Sequence, residues 1–66
     1  MKSTQIKRTK VSDWTVSTVF IEPFAYYETA VRDDTDRDPK WEPREWAYNE
    51  AAAISQHDGT VEVLGR

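Results

Sequence analysis

The residues best spaced for chemistry are Asp34, Asp36, Asp38 and Glu45. They reproduce the D-x-D-x-D…E spacing of a calcium-binding loop, in which carboxylates at positions 1, 3, 5 and 12 converge on one cation. Position 6 of such a loop requires glycine, because the backbone turns there with positive φ. Pro39 occupies it, and its ring holds φ at about −65°, so that turn cannot form. The flanking segments also read as strand rather than helix, and an EF-hand is excluded. A looser divalent site is the lesser alternative; the simpler reading is a solvated acidic loop or an acidic patch facing a basic partner. No metal or cofactor is predicted.

His57 is the single histidine. It falls on the apolar stripe of a helical segment, where a lone histidine is more often structural than a ligand. Catalysis would need a nucleophile or carboxylate within hydrogen-bond reach, and Glu28, across the sheet, is the residue that could supply one. The chain has no G-x-S-x-G, no H-E-x-x-H and no phosphate-cradling glycine loop. So short a chain has little material to enclose a substrate pocket of roughly 300 Å³ or more. An enzyme is not expected.

Trp41 and Trp46 flank Pro43 and Arg44, and are the strongest contact candidates, since Trp, Tyr and Arg supply most interface hot spots. The competing reading has both tryptophans capping an undersized core. Tyr26, beside Phe24, becomes a further surface aromatic if its strand faces inward through Tyr27.

Charge is unevenly spread. Residues 1–10 carry Lys2, Lys7, Arg8 and Lys10 and no acid, so residues 11–66 carry −7 in a chain of net charge −3. This predicts a basic extended arm over residues 1–10, either frayed or laid on an acidic neighbour, on phosphate or on a sister subunit. Four charges without interleaved aromatics are a poor nucleic-acid footprint, and the acidic body would repel a duplex.

The elements that must position these residues belong to one small domain, 11–66. A chain of 66 residues buries only about 60% of the surface its unfolded form exposes. With no cysteine it has no disulfide to help, a composition that fits an intracellular or virion setting. No apolar run approaches the roughly 20 residues of a membrane helix. Stability must come from a compact aromatic core or from assembly, and a homo-oligomer is one possibility.

Residues 14–31, WTVSTVFIEPFAYYETAV, read as a β-hairpin broken at Glu22-Pro23. Trp14, Val16, Thr18 and Phe20 share one face of the first strand. In the second, burying Glu28 would be costly, which favours Tyr27, Thr29 and Val31 inside. Residues 32–45 form an acidic loop, and REWAY offers a short third strand. Asn49 is a good N-cap and EAAAISQH is strongly helical. Beyond it, TVEVL is a fourth strand, or the helix runs on to about Leu64 with Gly65 as its cap; the stripe Ala53, Ile54, His57, Val61, Leu64 favours the helix. The expected fold is α+β: a two- or three-stranded antiparallel sheet with the C-terminal helix across one face.

Thr18-Val19-Phe20-Ile21, then Glu28-Thr29 with Val31, then Ala53, His57 and Val61 together resemble a family of short uncharacterised proteins encoded mainly by tailed bacteriophages and their hosts. The family pattern is a T-V-F-L strand, an E-T-M-V-F strand and an E-A-x-x-G-H helix. Ala30 replaces its methionine and Gln56 its glycine; residues 1–10 and the acidic loop lie outside it. The resemblance implies a phage or prophage origin and a sheet-plus-helix fold, and no catalytic residue comes with it. Two function classes are therefore expected. One is a small protein that binds and modulates or inhibits a host factor in the bacterial cytoplasm, through Trp41, Arg44, Trp46, Tyr26, Asp34, Asp36 and Asp38. The other is a minor capsid or tail component using Lys2, Lys7, Arg8 and Lys10 for subunit contacts.

Overall fold

A computed structural model describes all residues, 1–66. Four antiparallel strands, β1 (Lys2–Val11), β2 (Trp14–Glu22), β3 (Tyr26–Asp33) and β4 (Trp41–Ala47), form a meander in the order β1-β2-β3-β4, and one helix, α1 (Glu50–Leu64), closes the chain. The α+β class and the β2–β3 hairpin stand. The strand count is corrected from two or three to four.

Residues 2–11 are not an independent arm: they pair with β2 along its length. A β-bulge at Ile6, between Gln5 and Lys7, interrupts the two-residue alternation and hides the strand from a periodicity reading. β4 is hidden the same way in its first part. It starts at Trp41, three residues earlier than REWAY suggests, and carries Pro43 opposite Ala30 and a bulge at Arg44. Proline is tolerated because β4 is an edge strand. The acidic loop therefore shrinks from 32–45 to the seven residues between β3 and β4.

The helix covers the face formed by Val16, Thr18 and Phe20 of β2 and Tyr27, Thr29 and Val31 of β3, which are paired Val16↔Val31, Thr18↔Thr29 and Phe20↔Tyr27. Phe20 and Tyr27 stack at 4.9 Å between ring centroids. Asn49 caps α1 by accepting the Ala52 N–H at 2.8 Å, and Glu50 lies in the first turn, where the helix dipole favours an acid. The helix runs through Gly59 to Leu64, and Gly65 N–H donates to the Val61 carbonyl at 3.0 Å. TVEVL is thus helix. The opposite face of the sheet has no covering element.

Gly59 occupies an exposed helical position where an added Cβ would meet no atom within 4 Å. Gly59→Ala should stabilise the chain by about 1 kcal/mol through helix propensity alone, raising Tm by roughly 4–8 °C; thermal denaturation followed by circular dichroism checks it.

Candidate functional site

His57 is fully buried under the helix. Its Nε2 lies 2.9 Å from the Thr9 hydroxyl and its Nδ1 2.8 Å from that of Thr18, which is itself 2.6 Å from the Thr29 hydroxyl. Glu28 alternates to the other face of β3 and cannot serve the ring. Burial pushes the imidazole pKa below its ordinary value and Lys7 adds to this, with Asp58 opposing weakly. A neutral, sealed ring held by hydroxyls is a structural group.

The residues suited to contact lie on the uncovered face. Strand alternation places Gln5, Arg8 and Lys10 of β1 there, with Thr15, Ser17, Val19 and Ile21 of β2, Tyr26, Glu28, Ala30 and Arg32 of β3, and Trp41 and Trp46 of β4. Ser17 pairs with Ala30 in the middle of the sheet. Their short side chains leave a hollow that Arg8 and Trp41 lean over from opposite edges. The Arg32 guanidinium lies 4.8 Å and that of Arg8 5.7 Å from the Trp41 ring centroid, within cation–π range. Trp46 Nε1 donates to Glu28 at 3.2 Å, and Gln5 Nε2 to the Ser17 hydroxyl at 2.8 Å. Trp41 remains 42% and Trp46 52% exposed, so neither tryptophan is core.

Asp34 closes one end of this face. It accepts from the Thr15 hydroxyl at 2.5 Å, Lys10 at 2.9 Å and Arg32 at 2.7 Å. These bonds, Thr15 first, hold its carboxyl well below the usual carboxylate range. Asp33 and Asp36 accept the backbone N–H groups of Thr35 and Asp38 as turn-forming side chains, each with one oxygen committed to the turn. No group of three His, Cys, Asp or Glu side chains is arranged to hold a metal ion.

Of the contact residues expected from sequence, Tyr26, Trp41, Trp46 and Asp34 share the open face with Arg8 and Lys10. Asp36 and Asp38 stay in the solvent-exposed loop, and Arg44, turned by its bulge, lines a hollow on the helix side with Val31, Thr60 and Val63. Lys7 faces the helix and pairs with Asp58 at 2.6 Å, while Lys2 stands opposite Glu22 at the far end of β1. The aromatics therefore gather with cations rather than with the acidic loop. Gln5, Ser17 and Arg32 were missed; the two-residue steps Arg8–Lys10 and Glu28–Ala30–Arg32 were the signal that could have found their face.

No family model, curated protein or solved structure matches the chain. No helix is long and apolar enough to cross a membrane.

The buried ring gives a pH test. Because its folded pKa is lowered, His57 contributes stability that is complete above its unfolded value of about 6.5 and lost as pH falls below it. Asp58, lowered by its bond to Lys7, acts in a separate window beginning only near the ordinary carboxylate value of about 3.9. Urea midpoints should fall between pH 7.5 and 5. His57→Leu should remove that slope and cost about 1–3 kcal/mol at neutral pH by leaving the Thr9 hydroxyl without a partner.

Proposed function

We propose that this chain is a non-enzymatic protein-binding module, acting as an inhibitor or modulator of the protein it captures through the uncovered face of its sheet. One observation carries the reading. Trp41 and Trp46 stand exposed on that face, yet each is already oriented, by guanidinium groups in one case and by a carboxylate in the other. Large aromatics fixed before binding lose little entropy when a partner closes over them. A standard interface needs about 800 Å² from each partner, less than a fifth of this chain's 4510 Å², so one face suffices. His57, the side chain best suited to acid–base work, is sealed from any substrate. The resemblance to short phage proteins points to a bacterial host factor as partner and the host cytoplasm as the setting.

The outer edge of β1 favours a second reading, a minor virion component. Its backbone groups are unpaired, so a neighbouring subunit could add a strand there.

Capture from a bacterial lysate on the immobilised chain separates these readings. A modulator should be a monomer or dimer by light scattering and retain a discrete protein. Trp41→Ala or Trp46→Ala should weaken that retention by about 30-fold, as for a 2 kcal/mol hot spot, whereas Val63→Ala on the helix should not. A large homo-assembly, or retention indifferent to both tryptophans, would refute docking through this face.

A further inference from the structure

Resting on the docking role proposed above, we infer that the partner meets the open face with an extended acidic segment, its carboxylates on Arg8, Lys10 and Arg32. The hollow over Ser17 and Ala30 is an open cleft of about 370 Å³, bounded by Gln5, Arg8, Glu28 and Trp41. At Arg8 it continues into a second, shallower hollow lined by Lys10, Thr15, Arg32 and Asp34. The two form one track across the sheet, and Arg8 stands at their junction.

Charge decides what fits. Arg8, Lys10 and Arg32 face a single carboxylate at that end of the track. Asp34 pairs with both Lys10 and Arg32, while Arg8 has no carboxylate within 4.0 Å. The end of the track is therefore net positive in a chain whose total is −3. Guanidinium forks favour planar carboxylates, and Val19 on the cleft floor offers an apolar seat for an intervening side chain.

Two other occupants fit less well. Single-stranded nucleic acid binds by stacking bases on free aromatic faces, but two guanidinium groups already lie within cation–π range of the Trp41 ring and compete for it, and Glu28 would repel phosphate at the other end. A second copy laid antiparallel along β1 and centred on residues 7–10 would bring Lys7, Arg8 and Lys10 up to the same cations, and like charges directly opposite are destabilising.

The test is an amide-shift titration of the full ¹⁵N-labelled chain with three probes. These are the peptide Asp-Glu-Phe-Asp-Glu-Leu-Asp-Glu, the same peptide with lysine for every acid, and single-stranded oligo(dT). The acidic peptide should shift Gln5, Arg8, Ser17, Ala30 and Trp41 saturably and weaken as salt is raised. Arg8→Gln should reduce its affinity about tenfold, and Lys7→Gln, which removes a cation paired on the helix side, should not. Equal binding of the lysine peptide, preferential binding of oligo(dT), self-association in place of peptide binding, or shifts confined to the helix would overturn the inference. The two levels fail separately: partner capture that needs Trp41 and Trp46 but not Arg8 ends the acidic-segment inference and leaves docking intact, whereas capture indifferent to all three ends both.

Discussion

His57 sits where the helix crosses the sheet, and its two ring nitrogens reach the hydroxyls of Thr9 on β1 and Thr18 on β2, the second leading on to Thr29 of β3. Ten residues are buried, and only six of them are apolar, three of those alanine. A core so small cannot hold helix to sheet on apolar area alone. The hydroxyl–imidazole chain adds direction to that contact. Slipping a strand by one residue would turn its threonine to the wrong face and leave a buried polar atom unpaired; no buried side-chain polar atom is left so here.

Committing the helix to that face leaves the other without cover. A sheet face in water must be polar, small or engaged, and this one is each in turn. Cations line β1, short Ser17 and Ala30 form the middle, and aromatics from β4 fold back over them. Thr15 and Ala30 are buried on this side without a second layer, Thr15 against Asp34 and Ala30 in the cleft beside Trp41. The face is ordered by its own side chains.

The hairpin, the inward face of its second strand and the helix with its Asn49 cap were legible in the sequence, because both arms are rich in β-formers around Pro23, burying Glu28 would be costly and EAAAISQH has little other choice. β1 was not, and β4 was read only in its second half, as REWAY. Both edge strands carry a bulge, at Ile6 and at Arg44; β1 is polar along most of its length and β4 is interrupted by Pro43, so neither shows its full period. The candidate site inherits that blindness. Trp41 and Trp46 were visible as anchors, but their cationic neighbours come from strands distant in sequence, and only the register β1-β2-β3-β4 brings Arg8 over Trp41. The acidic loop drew notice through its spacing, whereas the fold uses it mainly to turn the chain and to hold Lys10 and Arg32.

Hydroxyl-radical footprinting of the free chain and of its complex with the captured partner tests the central claim most directly, because it reads side chains face by face. Trp41, Trp46 and Tyr26 should be oxidised in the free chain and protected in the complex, while Tyr48 and Val63, exposed elsewhere, should react equally in both. Protection of Tyr48 or Val63 with the two tryptophans unchanged would contradict the account and move the working surface to the helix side.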